Sequence, residues 1–558
     1  MKKSFLACLL VVMIFFAGCG GNQTSNPSSA PSKDDVTSSD NQSNENSSVQ
    51  EDTNSDTSEV IDDVIDDSED SDDFWDDLSW DDSGFGGSVE GEDGKIASYK
   101  EIISPKNTAY LLNSISGGAD KEANDLRNAI NGTEDSLKIK GQKYYVSPNG
   151  NDNNDGKTPA TAWKTLDNVL LSAFLLKEGD AILLERGGVY RLNSAFVCKS
   201  GITYGAYGKG NKPVIYGSST NYAWGKLWEP SNKKNVWKLN LEKSDAGIIV
   251  FDHGKAVGSK KTNVSSLKTE GDFYHNIDDG LLYLYVEGAY PNVKYESIEI
   301  GTDTNIMTIP QKSKNITIDN LSLKYSGAHG ISVSANASNI KITNCEIGWI
   351  GGSYFDPIAK PGARYGNGIQ FWLSCENMVV DNCWIYQVYD TGFSYQGQGN
   401  LPGTKYKNIS LKNTLIEFCS MSIEVWDQTS DTSVVENVEF VKNILRFSGY
   451  GWGSQRGNFQ YATHFTDYGS ADNYIMRNIT IKDNIFDCSA QNLVYYRWKE
   501  GLDRGITVSN NSFYQKTTKI GNAIYYGTGS QMIATNTEEL LAAVKTFDPK
   551  PKDVKWVS

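Results

Sequence analysis

Short stretches of alternating apolar and polar residues recur along the second half of the chain. Each reads apolar, any, apolar, any, Asn-like, any, any, apolar, and seven copies begin between residues 316 and 506. Alternation with a period of two predicts β-strands, and Asn at a fixed place predicts a turn that tolerates left-handed αL geometry. The Asn-like position is occupied in turn by Asn320, Asn344, Asn382, Asn413, Lys442, Asp483 and Asn510.

Successive copies are 24 to 41 residues apart, and a second short strand follows each of six of them. Self-similarity at this spacing is typical of a solenoid, whose insertions fall on one face. The pattern therefore predicts an all-β parallel solenoid in which the Asn side chains stack in a ladder. The second strands are predicted at 330–334, 368–372, 392–396, 422–426, 462–466 and 492–496.

An earlier segment is dense in turn-forming residues. Residues 144–166 read YYVSPNGNDNNDGKTPATAWKTL, and strand-like segments follow at 179–191 and 201–217. An EF-hand calcium loop is disfavoured because Ala162 occupies the place of the bidentate Glu. The Asn, Asp and Gly residues therefore predict turns.

These three segments resemble the N-terminal coils of pectate-lyase-like right-handed parallel β-helix proteins, which are secreted carbohydrate-active proteins. The resemblance covers about residues 140–530 and implies the right-handed parallel β-helix fold with a polysaccharide partner. It leaves the activity open, since this superfamily contains lyases, hydrolases, epimerases and binding proteins. Residues 218–300 interrupt the coils and resemble the small β-rich insert of some glycosidase-like members.

Composition divides the rest of the chain. Residues 20–93 hold 23 acidic residues and one lysine, with almost no core-forming residues, which predicts a disordered, extended tether. The net charge of −17 therefore describes the tether, because residues 94–558 carry a net charge of +3. Such a body neither repels nor strongly attracts an acidic polymer, and we expect no nucleic-acid partner and a monomer.

The N-terminus predicts export. Lys2 and Lys3 precede an apolar run that ends in Phe16-Ala17-Gly18-Cys19, which resembles a bacterial lipobox. We therefore expect Cys19 to be acylated and to anchor the protein to the membrane at the cell surface. No metal spacing links the other cysteines, so a zinc site is not expected.

The predicted organisation follows from these signals. Its segments are a lipoprotein signal peptide (1–19), an acidic tether (20–93), a partly helical N-terminal segment (94–140), the first coils (141–217), the β-rich insert (218–300), the β-helix repeats (301–530) and a C-terminal cap (531–558).

Candidate chemistry comes from aligning the second strands on Ile331, Ile369, Phe393, Ile423, Thr463 and Leu493. The alignment places Glu424 beside His464, and it places Asp427, Asp467 and Arg497 in one column. The candidate catalytic residues are Glu424, Asp427, Asp467 and His464. The candidate substrate-binding residues are Trp372, Trp426, Tyr496, Arg364, Arg497 and Gln370. Asp390, beside Gly392, fits a turn as well as it fits a catalytic role.

Paired carboxyls beside aromatic side chains favour a glycoside hydrolase, whose two carboxyls stand about 5–5.5 Å apart for retention or about 6.5–9.5 Å apart for inversion. No cofactor is required for that reaction. A polysaccharide lyase is the first alternative, with Arg497 as base and calcium held by Asp427 and Asp467. The second alternative is a tethered glycan-binding or adhesion protein, which needs the aromatic strip without the carboxyls.

Overall fold

Stacked coils of three strands form the body of the protein in the computed structural model. The structure describes residues 115–242, 244–355, 363–397, 404–427, 434–456, 462–467, 475–496, 505–517, 523–526 and 530–557. Successive coils add one strand to each of three sheets, and almost all neighbouring strands in these sheets run parallel. The fold is the right-handed parallel β-helix that the sequence predicts.

The three sheets each contain ten described strands. Sheet 1 consists of Lys143–Val146, Ala181–Glu185, Thr203–Tyr207, Lys314–Asp319, Ala337–Thr343, Cys375–Asp381, Lys405–Lys412, Val434–Val441, Ile475–Lys482 and Ile506–Ser509. Sheet 2 consists of Val189–Arg191, Val214–Tyr216, Ser322–Ser326, Glu346–Ile350, Trp384–Val388, Leu415–Glu417, Ile444–Arg446, Ile485–Asp487, Ser512–Gln515 and Asp553–Trp556. Sheet 3 consists of Phe196–Val197, Met307–Ile309, Ile331–Val333, Ile369–Trp372, Thr391–Gly397, Met421–Asp427, Thr463–Asp467, Asn492–Tyr496, Ala523–Tyr526 and Ser530–Ile533.

Each sequence repeat spans two strands, because its Asn-like residue turns the chain from sheet 1 into sheet 2. All seven predicted turn residues have positive φ, between 47° at Asn413 and 61° at Asn320. Asn adopts this region at lower cost than most residues because its short polar side chain bonds locally. Neighbouring turns are linked through side chains, as where Asn382 donates to Asn344 Oδ1 at 2.7 Å. The predicted turn geometry is confirmed.

A second Asn ladder, which the sequence analysis missed, lies near the start of the sheet 1 strands. Its members are linked side chain to side chain by hydrogen bonds of 2.7–3.0 Å, and all have positive φ. Each such bond contributes on the order of 1 kcal/mol to stability. The ladder comprises Asn315, Asn339, Asn377, Asn408, Asn437 and Asn478.

The insert forms two small sheets against the coils. One contains Ala246–Phe251, Ala256–Val257 and Ile298–Thr302, and the other contains Glu229–Pro230, Val236–Asn240, Ser259–Lys260, Asp272–Asn276 and Leu281–Tyr285. Its own apolar core includes Phe273 and Leu284, both fully buried. Ser353–Tyr354 and Arg364–Tyr365 pair as an antiparallel hairpin nearby.

Helices are few and short. The described α-helices are Asp120–Asn131, Leu166–Leu171, Pro291–Lys294 and Thr537–Val544, and 3₁₀ turns occur at Pro159–Thr161, Ala173–Leu175, Asp252–Gly254, Val264–Ser266 and Trp452–Arg456. Within the described ranges, no helix is long and apolar enough to cross a bilayer. The first helix docks on sheet 2 through Arg127, which is 2% exposed and forms an ion pair of 2.8 Å with Glu417.

The Asn- and Asp-rich stretch after the first strand is held by turn hydrogen bonds. Asp152 Oδ1 accepts from the backbone N–H of Lys164 at 2.7 Å and of Thr165 at 3.0 Å. Gly156 has φ +69°, and a Cβ there would lie 2.6 Å from the Trp163 indole. Backbone geometry and close packing therefore explain the glycine, as the turn interpretation predicts.

Candidate active site

Sheet 3 carries the predicted second strands, and its register determines which side chains are neighbours. One column, on the core face, contains Ile369, Phe393, Ile423 and Phe465. The next residue of each strand points to the opposite face because side chains alternate along a strand. That outer column contains Gln370, Ser394, Glu424 and Thr466.

The alignment that placed Thr463 opposite Ile423 was wrong by two residues. The structure pairs Thr463 with Met421 and Phe465 with Ile423. Phe465 takes the core position because its ring packs against Phe440, with centroids 5.8 Å apart. Consequently Thr466, and not His464, lies beside Glu424.

The following strand is shifted as well. Val494 pairs with Phe465, so Tyr496 falls on the core face. Tyr496 is 1% exposed and its hydroxyl donates to the Thr546 carbonyl at 3.2 Å. Its predicted role in substrate binding is therefore wrong, and Tyr495 occupies the outer position.

His464 lies near the corner between sheets 2 and 3, away from the Glu424 carboxyl. Its Nδ1 is 2.8 Å from the Ser448 hydroxyl and 3.4 Å from the Ser422 hydroxyl. Burial lowers the pKa of His464 to about 3, so the ring is neutral at physiological pH. These contacts give His464 a structural role, and the predicted pairing with Glu424 does not form.

The predicted carboxylate column does not align either. Asp467 is 1% exposed, and it pairs with Val425, whose side chain faces the core. Val425 lies two residues before Asp427, so Asp467 and Asp427 are not neighbours in register. Asp427 ends its strand opposite Gly397. The side chains of Trp426 and Asp427, and the whole of Arg497, lie outside the described residues, so their proposed roles stay predictions.

Glu424 is the predicted catalytic residue with the most distinctive surroundings. It is 5% exposed, and its Oε2 accepts from Ser394 Oγ at 3.1 Å, from Thr391 Oγ1 at 3.4 Å and from the Gln396 side-chain amide. Its Oε1 receives no hydrogen bond from any described residue. One carboxyl oxygen is therefore anchored by side chains of the neighbouring strand.

A second carboxyl, Asp390, lies beside Glu424. The hydroxyl of Thr391 is 3.5 Å from Asp390 Oδ1 as well as 3.4 Å from Glu424 Oε2. The two carboxyl oxygens are therefore no more than about 7 Å apart, a limit that includes the spacing of about 5–5.5 Å found in retaining glycosidases. Asp390 forms an ion pair with Arg456 and is 13% exposed.

The two carboxyls have different electrostatic environments. Burial, and then the negative charge of Asp390, raise the pKa of Glu424 to about 7, although Gln396, Arg456 and Ser394 oppose the shift. Asp390 has the guanidinium of Arg456 as a direct counter-ion. A carboxyl that holds a proton near neutral pH beside one that is paired with a cation is the arrangement that divides acid and base roles.

Tertiary contacts fix the position of Asp390 and Arg456. Asp390 lies at the corner between the strands Trp384–Val388 and Thr391–Gly397, where its N–H donates to the Gly366 carbonyl at 3.3 Å. Arg456 ends the 3₁₀ turn Trp452–Arg456, which is anchored by the Trp452 indole N–H donating to the Gln387 carbonyl at 2.8 Å. These corner residues complete a cluster that period-two alignment did not bring together.

A row of amides extends the outer face away from Glu424. Gln370 Nε2 donates to Gln396 Oε1 at 3.0 Å, and Gln396 in turn donates to Glu424. Gln370 Oε1 and Thr466 Oγ1 are buried and have no hydrogen-bond partner among the described residues. Trp372 is half-buried in the same strand as Gln370. Gln370 thus lies in the same outer column as Glu424, two strands away, and the substrate-binding roles of Gln370 and Trp372 stay predictions.

Arg364 braces the insert and makes no contact with either carboxyl. Its Nε donates to the Gly352 carbonyl at 2.7 Å, a second nitrogen donates to the Gly247 carbonyl at 3.3 Å, and its guanidinium lies 4.2 Å from the Tyr389 ring centroid. These contacts use two of its five N–H groups and hold the side chain against the insert and its hairpin. The predicted substrate-binding role of Arg364 is therefore not supported by its position.

Thr391, Gln396 and Arg456 are the cluster members that sequence reasoning missed as site residues, and Asp390 is the one that it left open between a turn and a catalytic role. The available signal was the position of Asp390, one residue before a second strand and one coil before Glu424. Arg456 gave no such signal because it joins the cluster through a turn in another coil. Among the described residues, no group of three or more His, Cys, Asp or Glu side chains could hold a metal ion. Calcium held by Asp427 and Asp467, with Arg497 as base, stays a prediction.

Solved structures that resemble this chain include carbohydrate-active proteins, all at low identity. XylC in complex with xylose is 15% identical over 69% of this chain and 71% of that chain, with a TM-score of 0.38. The GH136 lacto-N-biosidase from Eubacterium ramulus is 14% identical over 70% and 68%, with a TM-score of 0.32, and pectate lyase Pel9A is 14% identical over 70% and 72%, with a TM-score of 0.33. No family model and no curated protein matches. At TM-scores below 0.5 these similarities carry no argument about fold or activity, and the parallel β-helix rests on the strand pairing described above.

Proposed function

We propose that this protein is a carbohydrate-active enzyme that degrades polysaccharide, and more specifically a glycoside hydrolase whose catalytic pair is Glu424 and Asp390. The observation that carries the proposal is the shared contact of both carboxyls with the Thr391 hydroxyl. It brings the two groups to a separation that suits hydrolysis, while their surroundings differ in charge.

Glu424 is the proton donor in this proposal. Its raised pKa, about 7, keeps a proton on the carboxyl near neutral pH. The proton passes to the glycosidic oxygen as the bond between that oxygen and the anomeric carbon breaks. The hydrogen bonds to Oε2 hold the carboxyl in place and direct Oε1 toward the ligand.

Asp390 is the nucleophile. Its carboxylate, paired with Arg456, forms a bond to the anomeric carbon while the leaving group takes the proton from Glu424. In the second step, Glu424 removes a proton from water, and the resulting oxygen displaces Asp390 from the sugar. The net reaction is hydrolysis with retention of anomeric configuration. An upper limit of about 7 Å between the carboxyl oxygens favours this double displacement over the wider spacing of inversion.

The purified full chain, incubated with a panel of neutral and acidic polysaccharides, tests the proposal. We expect new reducing ends, no ultraviolet absorbance from unsaturated uronates, and a loss of about 10²-fold or more in turnover for Asp390→Asn and for Glu424→Gln. Proton NMR of the first product reports whether configuration is retained. Chelator-sensitive ultraviolet absorbance would instead establish a lyase, and binding without turnover would establish an adhesion protein.

We also propose that the protein is anchored at the cell surface through an acylated Cys19. The lipobox-like Phe16-Ala17-Gly18-Cys19 and the acidic tether that follows support this location. An anchored enzyme of this kind would act on polysaccharide that is held outside the cell.

A further inference from the structure

A cavity lies on the N-terminal coils, on a different part of the molecule from Glu424. It has a volume of about 610 Å³, within the range of small-ligand pockets. Its walls come from the loop 148–149, the segment 164–166, the turn 185–191 between sheets 1 and 2, and Trp224 of the insert. Five strand spacings of sheet 1 separate the coil of Glu185 from the coil of Glu424, or about 24 Å along the axis.

Trp224 presents an aromatic surface at this cavity. Its side chain is 50% exposed, and its indole N–H makes no hydrogen bond with any described residue. The Arg191 guanidinium lies 5.8 Å from the indole ring and is itself fixed by two hydrogen bonds, of 2.7 and 2.8 Å, to Glu299. An exposed tryptophan supported by a fixed arginine is a rigid surface for stacking, with one donor left for a polar ligand.

The polar groups of the cavity are nearly balanced in charge. Arg191 is paired with Glu299, and Arg186 is paired with Asp135 at 2.5 Å. The remaining charged lining residues are Lys164, which is exposed, and Glu185, whose carboxylate accepts from the Ser147 hydroxyl. Neither sign dominates, so the cavity does not select a strongly anionic ligand.

The cavity also has an open rim. A Cβ built on Gly187 would meet no atom within 4 Å. The space above this turn is therefore clear among the described residues, and a ligand longer than the cavity has room to extend from it.

We propose that this cavity is a second glycan-binding site, which holds one unit of an uncharged saccharide. The apolar face of a sugar ring stacks on Trp224, and its hydroxyls donate to the Glu185 carboxylate and accept from the indole N–H. The site would keep the protein on a glycan surface independently of turnover. This inference does not depend on Glu424 or Asp390.

The test uses the full chain carrying Glu424→Gln, so that cleavage does not consume the probe. The probes are fluorescently labelled xylo-, gluco-, galacto- and manno-oligosaccharides, with oligogalacturonate as the acidic counterpart. We expect at least one neutral probe to bind, and Trp224→Ala to weaken that binding by about tenfold or more. Tyr290→Ala is the matched control, because Tyr290 is also 50% exposed on the insert but lies outside the cavity.

Glu185→Gln provides a second variant that keeps the indole. We expect it to weaken the same probe while thermal unfolding of the protein stays unchanged. Three results would overturn the proposal. They are equal binding by Trp224→Ala and its parent, a preference for oligogalacturonate, and the absence of binding by every neutral probe. In the chain that keeps Glu424, we expect Trp224→Ala to hydrolyse a short soluble substrate at the parent rate. This measurement tests the glycan-binding site separately from the proposed catalytic pair.

Discussion

Replacing Glu424 by Gln is expected to remove activity and, above neutral pH, to stabilise the folded protein. Gln keeps the size of the side chain and its contact with Thr391 and Ser394, but it cannot ionise. The wild-type carboxyl is 5% exposed and near Asp390, so its ionised form is disfavoured in the folded state. The same burial that raises the pKa of Glu424 therefore costs stability when the proton is lost.

The sign and the size of this cost follow from the two pKa values. The folded pKa of Glu424 is about 7, whereas the ordinary value is 4.5. Below the ordinary value both states carry the proton and the shift has no cost. Between the ordinary pKa and the folded pKa, Glu424 loses its proton in the unfolded chain but keeps it in the folded protein. The free energy of unfolding therefore falls as pH rises, until the pH passes the folded pKa. The full loss is roughly 3 kcal/mol, which the Gln variant does not suffer.

Urea unfolding followed by tryptophan fluorescence, at about pH 4 and about pH 9, measures the difference. The stability of Glu424→Gln relative to wild type should rise by roughly 3 kcal/mol between these conditions. Glu346→Gln is a control of opposite sign. Burial acts to raise the pKa of Glu346, but Lys324 at 2.9 Å, Ser322 and Tyr386 hold it below its ordinary value. Relative to wild type, Glu346→Gln should therefore be destabilised most at high pH, where the wild-type carboxylate is ionised.

Parallel stability curves for wild type and Glu424→Gln would refute the reasoning, because they would show that Glu424 ionises as easily folded as unfolded. Activity gives an independent check. If Glu424 must be protonated, kcat/KM falls as pH rises above about 7. This fall is the basic limb of the pH profile. If substitutions around Glu424 leave the basic limb unchanged, the limb reports the ionisation of another group.

Three further predictions concern the neighbours of Glu424, the N-terminal helix and the membrane anchor. Gln396→Met removes a hydrogen bond that favours ionised Glu424, so the basic limb of kcat/KM should move to higher pH; an unmoved limb would contradict the contact. Arg127→Met leaves buried Glu417 without its closest cation and should lower the free energy of unfolding by about 3–5 kcal/mol, with much of the loss recovered in Arg127→Met/Glu417→Leu; an equally unstable double variant would show that the ion pair is not the cause. Cys19→Ser should abolish incorporation of an alkyne-labelled fatty acid in cells, and continued labelling would place the lipid elsewhere.

Local sequence signals predicted the backbone better than they predicted the site. Each turn at an Asn-like position depends on one residue that tolerates positive φ, so a single position such as Asn344 or Asp483 carries the information. The register of sheet 3 depends on which side chain fills the core. In the strand Thr463–Asp467, both Thr463 and Phe465 fit the alternation, because a shift of two residues keeps the same side chains on the core face. The packing of Phe465 against Phe440 decides between them, and no local pattern contains that contact.

Glu424 could be found from the strand pattern, since its outer position follows from alternation with Ile423 and Val425. Asp390 and Arg456 could not be assigned in this way, because neither lies within a strand. They meet only after the coils stack and the turn Trp452–Arg456 folds over the corner at Asp390. The regular part of the β-helix thus supplies Glu424, and irregular segments supply Asp390 and Arg456.

The insert is connected to this same corner, which gives it a part in the geometry of the site. Gln455 donates to the Gly258 carbonyl of the insert at 3.1 Å, directly before Arg456 in the chain. Arg364 links the neighbouring hairpin to Gly247 and packs on Tyr389, directly before Asp390. Both members of the Asp390–Arg456 ion pair are therefore one residue from a contact with the insert or its hairpin. We therefore expect a change in the packing of the insert to reach Asp390 before Glu424, whose hydrogen-bond partners Thr391, Ser394 and Gln396 all belong to one strand of sheet 3.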